Sequence, residues 1–322
     1  MVVSPQKVLY FESTKFKEET DMASKEMETL KVGMKMMMER GFAPKFDGTM
    51  DPIHLRHIVQ AAQERMANEP DVEFLPRSYA GIEAEISMPK DAKDDFLILY
   101  IHGGGLICGN AFSSRGYASM LAGESKRPVI SFSYRLAPED PFPAAVEDCF
   151  AIYQEIIKEF EGKPIYLIGE SGGAYLCIVT AMMCRDHGVQ LPSAIVPYSP
   201  PIEFCGELDR HFEGNEDFTV KPEFLNALGD LYVGSANKGN IYAEPYYDDF
   251  HGLCPMFLAW DENESLSVDS RIIVEKLKQQ GIEVEHYSYP HCFHAFATTG
   301  RGTPESYDIM KNTIAFFEKH AK

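Results

Sequence analysis

No stretch of this 322-residue sequence comes near the roughly 18 consecutive apolar residues that a membrane-crossing helix needs, so no transmembrane span is expected. The N-terminus, MVVSPQKVLYFESTKFKEE, also lacks the apolar core of a secretory signal; charged, helix-forming sequence follows, and the cytoplasm is the expected compartment. Positive charge is scarce. Thirty Lys and Arg stand against 49 Asp and Glu, for a net charge of −19. So acidic a chain repels phosphate backbones and anionic bilayers, which argues against a nucleic-acid or membrane partner; the charge is read as serving solubility. Paired cysteines are missing too. Cys108, Cys149, Cys177, Cys184, Cys205, Cys254 and Cys292 are odd in number and scattered, with no CxxC. That pattern excludes a regular disulfide framework and leaves buried free thiols. Cys292 with His291 and His294 finds no second ligand cluster, so no metal is expected. Internal repeats and low-complexity tracts are absent as well. What remains is 45% hydrophobic and 25% charged, at a length suited to one large domain or one domain with an elaborated cap.

Apolar periodicity predicts the elements. Residues 13–41 read as a helix, with Met22, Met27, Leu30, Met34 and Met37 on its buried stripe and Gly41 as its stop. Residues 51–68 read as a second helix, opened by Asp-Pro, with Ile53, Leu55, Ile58, Val59, Ala62 and Met66 inward. From residue 71 the grain changes. DVEFLPRSYAGIEAEISMP reads as two strands about a Gly turn. FLILYIH (96–102), PVISFSYR (128–135), PIYLIG (164–169), SAIVPYSP (193–200), MFLAWD (256–261) and VEHYSYP (284–290) read as further strands. Helices are expected over 143–160, 171–188, 267–281 and 305–321. Strands alternating with helices imply an α/β fold with a mostly parallel sheet flanked by helices. Residues 205–250, rich in Asp, Gly, Asn and Tyr, read as an irregular insertion over one end of that sheet.

Two glycine motifs carry the chemistry. Gly169-Glu170-Ser171-Gly172-Gly173 fits G-x-S-x-G, and it sits between an expected strand and an expected helix. A nucleophile on so sharp a turn needs small residues around it. His102-Gly103-Gly104-Gly105 directly follows the strand FLILYI. Successive glycines let backbone N–H groups face a developing oxyanion. Gly103 and Gly104 are the expected donors, with the amide of Gly172 as a third. A general base must come later in the chain. His294, in YPHCFHAF just past the last expected strand, is the candidate, and His291 is its neighbour and rival.

With HGGG (102–105), YRLAPEDPFPAAVED (134–148), GESGG (169–173) and PHCFHAF (290–296), the chain resembles the hormone-sensitive-lipase-like branch of the α/β-hydrolase superfamily. These are the bacterial esterases related to acetyl-hydrolases. The resemblance covers roughly residues 71–320 and selects His294 over His291. It implies a helical N-terminal cap over residues 1–70, a catalytic domain over 71–322, and a contribution of 205–250 to the cap or rim. It also implies that Arg135, Glu139 and Asp148 brace the HGGG loop. Two departures stand out. Gly172 occupies a position where the family usually has Ala. The acid slot, counted forward from Pro255 or back from Asp269-Ser270, falls on Asn263. Glu264 is the first choice to replace it, because its extra methylene gives reach from the adjacent position; Asp261 is the fallback, if the turn is shorter. Asp269 is expected to cap the next helix.

The implied activity is that of a cofactor-free serine carboxylesterase acting on small to medium esters, acetyl esters among them. Its partner would be a small-molecule ester, with a homodimer as the family's habit. Two other readings stay open: a ligand-binding protein on the same fold, which Asn263 keeps alive, and an amidase or peptidase, which shares the elbow chemistry. Phe16, Phe42, Phe46, Phe204, Tyr242 and Tyr246 are read first as core and second as pocket lining.

Overall fold

The apolar runs of the sequence become strands covered on both faces, as parallel strands must be. The computed structural model describes residues 22–43, 45–49, 51–63 and 68–321. Its strands are β1 (Val72–Tyr79), β2 (Ile82–Pro89), β3 (Leu97–Ile101), β4 (Val129–Phe132), β5 (Ile165–Glu170), β6 (Ala194–Tyr198), β7 (Met256–Asp261) and β8 (Val284–Tyr289). They form one sheet in the order β1-β2-β4-β3-β5-β6-β7-β8. β1 and β2 are a hairpin, and β2 meets β4 antiparallel; every pairing from β4 to β8 is parallel. The α/β-hydrolase fold with a mostly parallel sheet is therefore realised.

Successive strand residues point to opposite faces, which splits the core in two. Leu97, Leu99 and Ile101 pack with α4 (Ala144–Glu159), α5 (Gly172–His187) and α7 (Ser267–Gln279). Phe96, Ile98 and Tyr100 pack with α3 (Arg115–Ser125) and α8 (Pro304–His320). Helix α3 was not legible in the sequence. Its run RGYASMLAGES carries two glycines and several small residues, which weaken helix propensity. Yet the parallel step from β3 to β4 needs a crossover element. Gly123 also lies where a Cβ would come within 3.1 Å of Glu69 Cγ.

The N-terminal helices are α1 (Lys25–Glu39) and α2 (Pro52–Gln63). Residues 13–21 of the first expected helix, and Phe16, lie outside the described residues. Ser24 caps α1, accepting from the Met27 amide, and its own N–H and O–H donate to Glu305 at the start of α8. The expected methionine stripe holds only in part. Met27 is buried, with Leu30 and Met34 packed beside it, but Met22 and Met37 are exposed and Met38 is buried instead. In α2, Leu55 is buried whereas Ile53 is 56% exposed, contrary to expectation. A stripe read at fixed periodicity assumes that apolar contacts alone face the body; here α1 also meets it through Ser24, Lys31 and Lys35, and α2 through Arg56 beside Leu55.

Residues 205–250 are less irregular than expected. They contain α6 (Pro222–Leu228), which continues into a π-helical turn, Gly229–Val233. Val220 forms a parallel bridge with Phe46, whose ring meets Phe224 at 4.9 Å. Phe204 is core, edge-on to Tyr175 and Tyr232. All seven cysteines are free, and all but Cys205 are buried. No helix among the described residues is long and apolar enough to cross a membrane.

Candidate active site

Parallel strands deliver their C-terminal loops to one edge of the sheet. Ile101 at the end of β3 is in register with Gly169 of β5, so the HGGG loop and the GESGG turn leave the sheet side by side. Gly173 makes this possible: a Cβ there would lie 2.0 Å from the Ile101 carbonyl oxygen. Between them Ser171 adopts φ 54° and ψ −122°, a conformation that costs an L-residue energy and is typical of a nucleophile elbow. Its amide donates to the Tyr198 carbonyl at 2.9 Å, which ties the turn to the end of β6.

The HGGG loop is held from three sides. The Tyr134 hydroxyl donates to the His102 carbonyl at 2.8 Å. The Gly103 amide donates to Glu170 Oε1 at 2.7 Å. His102 Nδ1 donates to the Gly103 carbonyl at 2.8 Å, and its ring stacks on Tyr134 with centroids 4.1 Å apart. Burial pushes His102 down to about 4, against the bond to Gly103, so the ring stays neutral with its proton on Nδ1. The expectation for Gly103 is thus corrected: its N–H is engaged by Glu170. The amides of Gly104 and Gly172 have no partner among the described residues.

The bracing expected within YRLAPED…VED is also revised. Arg135 and Asp148 pair closely, with Nη2 2.7 Å from Oδ1 and the Arg135 amide 2.8 Å from Oδ2. Glu139 instead pairs with Arg56 of α2, at 2.8 and 2.6 Å. Arg56 donates further to the carbonyls of Ile107 and Ala137, so it is α2 that reaches the end of the HGGG loop. No motif marked Arg56 in the sequence.

On the other side of the corner, His294 Nδ1 lies 2.7 Å from Glu264 Oε2. Glu264 is fully buried. Burial lowers the His294 pKa, but the charge and hydrogen bond of Glu264, with the charges of Asp217 and Glu170, together raise it by more. Burial pushes the Glu264 carboxyl up, opposed by His294 and by the Ser199 hydroxyl. His294 Nε2 is buried and meets no protein partner among the described residues. The next amide, Ala295, donates to Ser199 Oγ at 3.3 Å. Tyr198 therefore receives the serine turn and Ser199 receives the histidine loop, on consecutive residues at the end of β6.

The second acid candidate is set aside. Asp261 accepts the backbone amides of Asn263 and Cys292, both at 3.2 Å, and has no bond to His294. Burial, then the nearby charge of Glu264, pushes its carboxyl up to about 8. Asn263, in the slot counted for the acid, stitches two loops: its Oδ1 accepts the His291 amide at 2.9 Å and its Nδ2 donates to the Gly214 carbonyl at 2.8 Å. An ionised Asp at this position could accept but not donate. The rival His291 pairs at 3.1 Å with the exposed Glu216. Asp269 does not cap α7; it is buried, takes two bonds of 2.7 Å from Arg210, and accepts the Ile202 amide.

Sequence reasoning missed Glu170, Tyr100, Tyr134, Ser199 and Arg56. Glu170 carried one signal, a carboxylate ending an otherwise apolar strand. Among the described residues, two acidic groupings have the spacing to hold a cation, Glu203–Cys205–Glu244 and Asp248–Asp249–His251. Neither includes Ser171, His294 or Glu264, and Glu203 and Glu244 already accept backbone amides.

Comparison with known proteins agrees with this geometry. A family model described as alpha/beta hydrolase fold matches residues 98–298. The chain is 25% identical to the putative acetyl-hydrolase LipR of Mycobacterium tuberculosis, over 87% of this chain and 92% of that protein. It is 30% identical to an acetyl-hydrolase of Streptomyces hygroscopicus, over 63% of this chain and 69% of that protein. Among solved structures, an esterase from the bacterial hormone-sensitive lipase family superposes with TM-score 0.83 at 27% identity, covering 94% of this chain and 100% of that one.

Proposed function

Because this chain belongs to the α/β-hydrolase fold family, in its hormone-sensitive-lipase-like, acetyl-hydrolase-related branch, we propose that it is a serine carboxylesterase working through an acyl-enzyme. The observation that carries this reading is the buried Glu264–His294 pair, which shares the end of β6 with the strained Ser171 turn. His294 Nε2 takes the proton of Ser171 Oγ as the oxygen attacks the ester carbonyl. Glu264 holds the ring through Nδ1 and stabilises the imidazolium as it forms. The amides of Gly104 and Gly172 receive the tetrahedral oxyanion. His294 then returns its proton to the departing alcohol, and water attacks the acyl-enzyme by the same route.

The substrates we propose are small to medium carboxylic esters, and two relatives named acetyl-hydrolases support acetyl esters among them. In this reading α1, α2 and the 205–250 segment form the cap and rim. Supporting that role, Phe224 packs so tightly over the HGGG loop that a Cβ on Gly105 would lie 2.7 Å from its ring, and Phe224 in turn meets Phe46. The test is hydrolysis of p-nitrophenyl esters from acetate to octanoate by wild type and Ser171→Ala. Wild type turns over the short esters, and the variant loses on the order of 10⁶ in kcat. Equal rates for the two proteins on every ester would overturn the reading.

A further inference from the structure

We propose that Glu170 is a positioning residue: its ionised carboxylate clamps the HGGG loop so that the Gly104 amide stays turned toward the reacting carbonyl oxygen. The inference rests on the esterase reading and names what that reading needs beyond Ser171, His294 and Glu264.

Glu170 fills the variable position between Gly169 and Ser171, yet its carboxylate is turned inward. Oε1 accepts the Gly103 amide at 2.7 Å, and Oε2 accepts the Tyr100 hydroxyl at 2.5 Å. The fit against Gly103 leaves no room for a side chain, since a Cβ there would lie 2.9 Å from Glu170 Oε1 and 2.8 Å from its carbonyl oxygen. The peptide joining His102 to Gly103 is thereby gripped at both ends, its carbonyl by Tyr134 and its N–H by Glu170. His102 Nδ1 holds the carbonyl of the next peptide. A trans peptide points its N–H opposite its carbonyl. Fixing the Gly103 carbonyl thus aims the Gly104 N–H, and Glu170 fixes the unit on which that aim depends. An ionised acceptor makes bonds roughly twice as strong as a neutral one, so the charge matters as well as the shape.

The same charge reaches the base. Glu170 is among the groups that raise the His294 pKa, and His294 in turn lowers that of Glu170. Burial outweighs these helpers and pushes the Glu170 carboxyl up to about 7. The groups facing Glu170 are Tyr100 from β3, Tyr117 from α3, Tyr134 after β4, Cys177 from α5, and His294. Burial holds the three tyrosines and Cys177 well above their ordinary values, so they stay neutral in mildly acidic solution. Around the base itself, Glu264 and Asp217 add their charges to His294, and Asp261 lies beside Glu264; these groups are unchanged between wild type and Glu170→Gln, so a difference in the acid limb reports on Glu170. Replacing Glu170 by Gln removes one group that must ionise and also removes a charge that holds the His294 proton. Both effects move the acid limb of kcat/KM to lower pH.

The experiment compares wild type, Glu170→Gln and Ser171→Ala on p-nitrophenyl acetate across pH 5 to 9, with inhibition by an alkyl trifluoromethyl ketone. Gln keeps the shape and an acceptor for Gly103 while losing the charge. For Glu170→Gln, kcat should fall about tenfold with KM within about twofold. Affinity for the ketone, which forms a tetrahedral oxyanion, should fall in parallel, and the acid limb should move down. A wild-type kcat with an unmoved acid limb overturns the clamp, as does a rise in KM alone. In either case an inert Ser171→Ala leaves the esterase reading standing. If wild type is itself no faster than Ser171→Ala, the esterase reading fails and the clamp with it.

Discussion

The two sides of the catalytic corner are built from different materials. On the β3–β5 side, residues 101–106 and 169–173 approach backbone to backbone. On the β7–β8 side, residues 261–264 and 290–295 meet through side chains. The contrast teaches how tightly each side is written into local sequence. Where a carbonyl oxygen lies 2.0 Å from a would-be Cβ, as at Gly173, only glycine serves. Where a carboxylate must reach an imidazole across a turn, a neighbouring position can do the work. Glu264 does so here, and Asn263 is released to bond the His291 amide and the Gly214 carbonyl.

That contrast can be broken most violently at Gly173. Gly173→Ala is expected to cost about 4 kcal/mol or more and to leave little folded protein, as urea unfolding or soluble yield would show. A stable variant would mean that α5 can lift off β3, and that the elbow is looser than its glycines imply. Next comes Glu264→Gln. It should fold normally and lose about 10⁴ in kcat, because a neutral amide orients His294 without stabilising its charge. Adding Asn263→Asp to that variant should not rescue it, since position 263 is aimed at His291 and Gly214. Rescue in an ester-hydrolysis assay would show that the acid is free to move and that the loop stitch is expendable.

Smaller effects sharpen the comparison. Gly172 follows the serine at the first position of α5. A Cβ there would lie 3.1 Å from the Leu106 amide nitrogen and 3.3 Å from Leu106 Cδ2. Leu106 itself has φ 62° and packs into that space. Gly172→Ala should therefore displace Leu106 by a few tenths of an ångström, costing about 1 kcal/mol and a few-fold in kcat. The smallest effect is expected at Asp261. Burial raises its carboxyl pKa, so the protonated form suits the fold. Its contribution is fully present below the unfolded value near 4 and is lost as pH rises toward 8. Asp261→Asn should keep nearly full activity and flatten the dependence of thermal stability on pH between 5 and 8. A collapse of activity in that variant would return Asp261 to candidacy as the acid.

The alternation of strands and helices, the serine turn and the glycine loop were legible in the residues themselves, whereas the choice of His294 over His291 came from the family resemblance. The first three rest on periodicity or on close backbone approach, and both leave a local signature in residue type and spacing. Tertiary structure alone decided which carboxylate meets His294, that the Gly103 amide is held by Glu170, that Glu139 reaches Arg56 of α2, and that RGYASMLAGES is a helix. These depend on side chains meeting across separations such as 30, 67 and 83 residues, or on a crossover the sheet demands of a weak helix former. Reach across folded loops is set by where the loops lie, and no local run of residues encodes that.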